Sequence, residues 1–347
     1  MKIYDQKHNF VRFLLRRKDF RAEEKLEGGI VRKQISLAYP LEDGRLHCEY
    51  TIEYEGDCYR VKESQAKGLF GSVVAEQDTA ELSGHIFTDF SGASLKLTEY
   101  AEKALDGTGW KCVNVSADDT EVRDISEEHI DSMSALEKVA EVFWVEMELD
   151  ASEKTVCLYK RVGNASGTMR FMKGFNLKTL EVKTDTHDFY TRIYPVGKDG
   201  VTIASVNDGK EYLDNNRYSD EVRAAIWEDS NYADASQLKE AAERKLEELS
   251  APKTTYAAQI TDVAQMLEGY EDFAFYLGDE VDIVDPGLDV NTRERIVRIV
   301  RCPDHPEKNT VELSSRKTSF ADMQKKLLAA VSGVSNGIVI KGKALLR

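Results

Sequence analysis

Short segments in which apolar residues occupy alternate positions recur along most of this chain, and they limit its fold more than any other feature. Ile35, Leu37 and Tyr39 alternate ahead of a proline, and Val281 and Ile283 alternate much later in the chain. A period of two is typical of strands that bury one face. The frequent turns between these segments predict β-barrels or sandwiches rather than a parallel sheet.

Four segments break this pattern with a period of about three and a half, which predicts helices. The first has an apolar stripe formed by Leu97, Tyr100, Ala101, Ala104 and Leu105. We expect Ser94 to cap this helix and a capping box at Ser134 and Glu137 to start the second. Asp234 and Ser319 are in position to start the third and fourth helices.

These elements predict an α+β, mostly β, multidomain chain with two β-barrel-like domains. A length of 347 residues suits several domains, since single cores stop growing at roughly 250 to 300 residues. The predicted parts are a first β-barrel-like domain (1–87), an α+β domain (88–165), a second β-barrel-like domain (166–200 and 251–318), a helical insertion (201–250) and a C-terminal helix with connector (319–347).

Charge and cysteine usage narrow the class of protein. The chain has 62 acidic and 47 basic residues, and its net charge of −15 disfavours binding to nucleic acid or to an anionic membrane. Its five cysteines form no Cys-x-x-Cys pair, as expected for thiols of a reducing compartment. The start carries no secretory signal, and the apolar patch at residues 10–15 is far too short to span a membrane. We expect synthesis in a cytosol and no membrane partner.

No catalytic or metal-binding motif stands out among the polar residues. The six histidines are scattered: His8, His47, His85, His129, His187 and His305. None of them has the spacing of a zinc site, and Cys302 with His305 lacks a second ligand pair nearby. The acidic residues between 279 and 289 lack the spacing of a calcium loop. We therefore expect no catalytic residue, no cofactor and no metal.

Residues 185–203 predict a β-hairpin with a Gly-Lys-Asp-Gly turn at 197–200. One face would carry Phe189, Thr191 and Ile193, and the other Tyr190, Arg192 and Tyr194. The neighbouring His187 and Asp188 could orient a base, but no nucleophile motif accompanies them. We interpret the hairpin as a strand pair of the second barrel, and Tyr190, Arg192 and Tyr194 as a packing or subunit contact.

The same hairpin carries a family resemblance. A strand ending Thr-Arg-Ile-Tyr-Pro at 191–195, followed by Gly-Lys-Asp-Gly, resembles phage tail tip hub proteins, the N-terminal structural part of the prophage tail endopeptidase or tail-associated lysin family. Residues 35–43, 75–87, 277–285 and 293–299 resemble further segments of that family in the same order. The likeness extends over about residues 30 to 315. The family itself is similar to the baseplate hub of contractile-tailed phages.

The resemblance implies a homotrimeric ring at the tail tip, or baseplate, in which two barrel domains per subunit alternate to give pseudo-sixfold symmetry. Its implied partners are the distal tail protein, the tail tube, the tape-measure protein and a separate tip or fibre protein. DNA would pass through the ring without specific binding. Longer relatives carry a peptidase, lysozyme or fibre domain after the hub, and no such module is visible here.

Two other functions remain open from the sequence. The first is a tail-associated cell-wall endopeptidase whose site is assembled from scattered residues; substitution of His187 or His129 would then abolish peptidoglycan turnover. The second is the hub of a phage-like contractile injection particle, which a sheath gene beside the coding gene would indicate.

Overall fold

A computed structural model describes residues 1–229 and 231–314 of the chain. The described residues form 21 strands and five α-helices, so the predicted class, α+β and mostly β, is confirmed. The predicted fourth helix, starting at Ser319, and the connector after it lie outside the described residues.

The elements are numbered in chain order. The strands are β1 (Lys2–Tyr4), β2 (Phe10–Phe13), β3 (Lys18–Glu27), β4 (Ile30–Pro40), β5 (Thr51–Tyr54), β6 (Asp57–Lys67), β7 (Phe70–Gln77), β8 (Ile86–Lys96), β9 (Lys111–Asn114), β10 (Val122–Asp131), β11 (Glu146–Asp150), β12 (Thr155–Tyr159), β13 (Arg170–Met172), β14 (Leu177–Asp185), β15 (Arg192–Val196), β16 (Leu213–Asp214), β17 (Ala224–Glu228), β18 (Lys253–Ile260), β19 (Glu280–Asp285), β20 (Val290–Arg301) and β21 (Thr310–Ser314). The helices are α1 (Ala80–Gly84), α2 (Leu97–Leu105), α3 (Ser132–Phe143), α4 (Ala235–Leu249) and α5 (Val263–Met266).

One large sheet connects the two ends of the described chain. Its main path runs β14-β18-β21-β20-β3-β4-β7-β6-β5-β1-β2, and β9, β11, β12, β13 and β19 branch from it. The connection is the antiparallel pair β3 and β20, in register from Lys25 opposite Arg298 to Ala22 opposite Arg301. Arg298 strengthens it by pairing with both Glu23 and Glu312. Early and late strands thus share a backbone hydrogen-bond ladder.

The alternating segments bury the faces that their pattern predicts. Ile35, Leu37 and Tyr39 are almost fully buried in one core with Ile52 and Val73. The late strands β18 to β21 have a second core, which includes Ile283 and Ile296. In both cores the period of two locates the buried side correctly.

The three predicted helices that lie within the described residues, α2, α3 and α4, bury their predicted stripes, but two of them begin differently from the prediction. Ser94 does not cap α2, because it lies in β8 with a φ of 54° and the N-cap is Lys96. Ser134 does not cap α3 either: the carboxylate of Asp131 accepts a hydrogen bond from the Ser134 backbone N–H at 2.7 Å and starts the helix at Ser132. The prediction for α4 is confirmed, since Asp234 accepts from two backbone N–H groups of the first turn.

A buried ion pair lies where β11 meets the second core. The Arg295 guanidinium bonds both oxygens of Glu146 at 2.6 and 2.5 Å, and only 9% of the Arg295 side chain and 1% of the Glu146 side chain are exposed. The backbone around it is tightly packed: a Cβ on Gly163 would come within 2.2 Å of the Gly278 carbonyl carbon. Both glycines also have positive φ, so a side chain at either position would be strained.

A second buried acid, Glu294 of β20, has no such ion-pair partner among the described residues. Glu294 is 9% exposed, and the Thr292 hydroxyl donates to its Oε1 at 3.1 Å, while its Oε2 has no hydrogen-bond partner among the described residues. Desolvation raises the pKa of Glu294. The folded state therefore favours the protonated acid, and this contribution to stability is lost as pH rises through the raised pKa.

We expect Glu294→Gln to increase the free energy of unfolding by about 1 kcal/mol at pH 8, because it removes a buried charge with one unpaired oxygen. The gain should shrink toward pH 4, where the wild-type acid takes up its proton. Urea unfolding at both pH values measures the difference. Glu128→Gln, at an exposed position, controls for the change in net charge. A glutamine variant that is less stable than wild type at pH 8 would contradict the assignment.

The structure also shows the state of the cysteines and the character of the helices. The five cysteines are free thiols. Within residues 1–229 and 231–314, no helix has the length and apolar character needed to cross a membrane.

Candidate contact surface

The strand with the predicted contact residues, β15, is the centre of a small three-stranded sheet. It pairs antiparallel with β16 and parallel with β17. Helix α4 covers one face of this sheet, where Ile193 packs with Ala242 and Leu246. The unit is therefore built from β15 together with two strands and the helix of segment 201–250, which accordingly contains strands as well as the predicted helix.

The predicted hairpin is right in its first arm and wrong in its second. Phe189, Thr191 and Ile193 are buried as predicted. The expected returning strand is reduced to a single bridge between Val196 and Thr202, and the neighbours of β15 are β16 and β17 instead. The Gly-Lys-Asp-Gly turn forms a short 3-10 helix that is held by a hydrogen bond from the Lys198 N–H to the Tyr232 carbonyl.

A close approach of two backbone segments explains this turn. A Cβ at Gly197 would lie 2.2 Å from the carbonyl oxygen of Tyr232, so only glycine fits there. The turn is therefore held against the segment that leads into α4. As a result, the chain after the turn does not form a second hairpin strand along β15.

The outer face of the sheet carries an arginine packed between tyrosines. Arg192 bonds both carboxylate oxygens of Asp214 at 2.6 and 2.8 Å. Its guanidinium carbon lies 3.9 Å from the ring centroid of Tyr212, and the ring of Tyr194 lies 5.5 Å from that of Tyr212. The hydrogen bonds that Arg192 donates to the Asp214 carboxylate raise the pKa of Arg192. Because the charge is paired within the subunit, this face offers flat aromatic surface rather than a free cation.

An exposed strand edge continues this surface. Ile226 of β17 lies opposite Tyr194 in the parallel register, and it is 70% exposed. An open depression of about 410 Å³ runs along these strands and is lined by Tyr194, Pro195, Val196, Thr202, Glu211, Ala224, Ala225 and Ile226. Among the described strands β17 pairs only with β15, so its other edge is open. We call Arg192, Tyr194, Tyr212 and Ile226 the aromatic face.

The second half of the chain matches a known protein family. The family model described as "Prophage endopeptidase tail" matches residues 165–324, which include the whole three-stranded sheet. The predicted resemblance to the prophage tail family is confirmed. No curated protein matches the chain significantly.

Solved structures of bacterial tail proteins share the fold of this chain over nearly its whole length. The prophage tail protein gp18 from Listeria monocytogenes EGD-e is 16% identical, with a TM-score of 0.67 over 96% of this chain and 99% of its own. The 43 kDa tail protein of prophage MuSo2 from Shewanella oneidensis is 11% identical, with a TM-score of 0.63 over 91% and 97%. A tail protein from Neisseria meningitidis MC58 is 10% identical, with a TM-score of 0.64 over 92% and 98%. At these identities the likeness establishes the fold.

Within the segment that matches the prophage tail family, two of the three predicted contact residues lie together. Arg192 and Tyr194 meet around Tyr212, whereas Tyr190 precedes β15 and its N–H donates to the Leu249 carbonyl at 3.0 Å. Sequence reasoning missed Tyr212 and Ile226. The short continuous apolar run at 224–227 was the available signal for Ile226, while Tyr212 lies in a polar stretch without one.

His187, a candidate residue of a peptidase site, lies at the surface. It is exposed, and its Nδ1 lies 2.7 Å from Asp185 Oδ1. The described part of the chain holds no group of three or more His, Cys, Asp or Glu side chains that could bind a metal ion. The arrangement of the aromatic face is suited to packing against another protein surface.

Proposed function

We propose that this chain is a structural protein of a phage or prophage tail and that it acts through its interfaces. Tail proteins of three bacteria share its fold, each over at least 91% of the chain, and this likeness over nearly the whole length is the observation that carries the proposal. Because a fold alone does not fix a function, the family match at residues 165–324 is a necessary second support.

In finer detail, three copies would form a ring-shaped hub at the tail tip, or baseplate. The ring would join the sixfold tail tube and distal tail ring to threefold tip components, beside the tape-measure protein and a separate tip or fibre protein. The aromatic face, with Tyr190 beside it, would serve as a subunit contact. Tyrosine and arginine side chains are enriched in the cores of protein interfaces, which supports this use.

Light scattering combined with electron microscopy of the purified protein tests the proposal. A mass of three subunits together with ring-shaped particles is expected. A stable monomer that hydrolyses peptidoglycan would overturn the hub and favour the peptidase. Localisation of the protein at the tail tip in purified virions, by labelling, would check its place in the particle after synthesis in the host cytoplasm.

The charge of the chain bears on DNA passage. Three copies at −15 each would carry −45 in total, and a lumen of that sign would let DNA pass without holding it. We expect the assembled ring to retain no DNA on a filter at physiological salt. Tight binding that weakens as salt increases would contradict this proposal.

The second candidate function is cell-wall peptide hydrolysis, which the family description "Prophage endopeptidase tail" supports. It predicts release of soluble peptidoglycan fragments by the purified protein and loss of this activity in His187→Ala or His129→Ala. The exposed position of His187, whose ring nitrogen bonds the carboxylate of Asp185, supports the structural function instead.

A further inference from the structure

The two ends of the main strand path each carry an exposed apolar cluster. Basic residues flank the first cluster, and the second includes an acidic loop. Soluble monomers rarely leave large contiguous apolar patches open to water, so each cluster is a candidate interface. The first lies at β2, the last strand of the path, and the second lies beside β14 and β18, its first two strands.

The first cluster, which we call the basic end patch, consists of Phe10, Phe13, Leu15, Leu69 and Phe70. All five side chains are exposed, Leu15 and Leu69 by more than 80%. The turn at residues 41–44 links its two halves: Arg12 donates to the Gly44 carbonyl, and the Leu41 N–H donates to the Leu69 carbonyl. Among the described strands β2 pairs only with β1, so one backbone edge is open as well.

Basic side chains surround this patch. Residues 1–21 contain seven basic and two acidic residues in a chain that is strongly acidic overall. Arg16 is paired with Glu42 and Asp43, so its charge is largely satisfied. Lys18 lies over the ring of Phe70 at 3.6 Å, and Lys67 is exposed at the adjoining hairpin tip. These two lysines are therefore the cations that the patch presents most directly.

The second cluster, which we call the acidic end patch, consists of Phe175, Met266, Leu267, Tyr270 and Phe273. The ring of Phe273 lies 5.5 Å from Phe175 and 5.6 Å from Tyr270. Four of its side chains are exposed, by 37 to 51%. Its loop at residues 264–276 holds three exposed acids, Glu268, Glu271 and Asp272, and no basic residue. Lys173 and Lys178 lie on the other side of Phe175, and their ammonium groups donate to the carbonyls of Lys178 and Glu307.

We propose that the basic end patch of one subunit packs against the acidic end patch of a second copy of this chain. Both patches are apolar, and Lys18 and Lys67 of the first are opposite in charge to the acidic loop at 264–276 of the second. Such complementarity orients partners and excludes wrong ones. Because the patches differ, the contact is head to tail and repeats from copy to copy until a ring closes. This inference rests on the proposed trimeric hub and names the surfaces that build it.

The proposed contact also covers features that are unfavourable in an isolated subunit. An open, apolar edge strand is a site of uncontrolled pairing, and proteins normally block such edges with charges or cover them. Packing the acidic end patch over β2 would remove Phe10 and Phe13 from water and place acids near Lys18 and Lys67.

Charge reversal on each side tests the contact. We expect Lys18→Glu with Lys67→Glu to raise the concentration for half-assembly by roughly tenfold or more, and Glu268→Lys with Asp272→Lys to do the same. Combining all four substitutions should return assembly to within about threefold of wild type, as a direct pair coupling requires. Sedimentation velocity at low salt measures assembly. Lys111→Glu with Lys160→Glu, two exposed positions of the α+β part, gives the matched charge control.

The outcomes separate this inference from the hub proposal. Wild-type protein that forms trimers and is insensitive to both reversals leaves the hub intact and overturns the contact. Reversals that each weaken assembly but do not compensate each other overturn the pairing of these two patches. Wild-type protein that stays monomeric at its highest soluble concentration overturns the trimer and the contact together. Thermal unfolding shows that each variant is folded, so misfolding cannot imitate a lost contact.

Discussion

Glu146→Gln is expected to lower the free energy of unfolding by about 3 to 5 kcal/mol, the cost of leaving a buried charge without its partner. In the wild-type protein the Glu146 carboxylate accepts two hydrogen bonds from Arg295 and one from the Val162 N–H at 2.7 Å. Glutamine offers one acceptor oxygen and no charge, so the guanidinium would remain buried with only carbonyl partners.

Further hydrogen bonds hold the Arg295 side chain in its buried position, so it cannot easily turn toward the solvent. Its Nε donates to the Gly278 carbonyl at 3.1 Å and one Nη donates to the Val162 carbonyl at 2.8 Å. Both carbonyls lie in the tightly packed backbone at Gly163 and Gly278. A shift of Arg295 would therefore disturb the junction between β11 and the second core as well as the ion pair.

Urea unfolding monitored by circular dichroism measures the loss. Glu53→Gln is the matched control, because its partner Lys2 is exposed and such surface pairs contribute about 0 to 1 kcal/mol. Replacing both partners, as Glu146→Met with Arg295→Met, should destabilise less than Glu146→Gln, since no unpaired charge remains. A cost for Glu146→Gln no larger than that of the Glu53 control would contradict a structural function for this pair.

Local periodicity predicted much of the fold, because an element that buries one face has apolar residues at regular intervals in its sequence. The apolar positions of β4, α2 and α4 are the buried ones in the structure. Helix starts were less predictable, since several residues compete to cap one turn. Ser134 matched a capping box, yet the carboxylate of Asp131 is the group that accepts the first-turn hydrogen bond.

Pairing between distant strands could not be predicted in the same way. Glu23 and Arg298, which join β3 to β20, are 275 residues apart. Nothing in the sequence of either strand indicates which other strand it pairs with. The aromatic face shows the same limit. Alternation assigned Arg192 and Tyr194 to one face correctly, but their neighbours Tyr212 and Ile226 come from the segment predicted as a helical insertion, 201–250.

Ile226→Lys is expected to weaken trimer assembly by on the order of tenfold to a hundredfold while leaving the subunit folded. Ile226 is 70% exposed, so its replacement removes little packing within the subunit. In an interface, burial of an aliphatic side chain of this size contributes about 1.5 to 3 kcal/mol, and a lysine would also have to lose its hydration.

The position of Ile226 makes it a strong test of the aromatic face. It lies on the open edge strand β17, where a lysine is a natural block against pairing with another chain. Sedimentation velocity at several concentrations measures the effect. Leu288→Lys, at an exposed position in the turn between β19 and β20, makes the same chemical change elsewhere and should leave assembly unaltered. If both variants assemble like wild type, the aromatic face is not a subunit contact; if both weaken assembly equally, added charge rather than this surface is responsible.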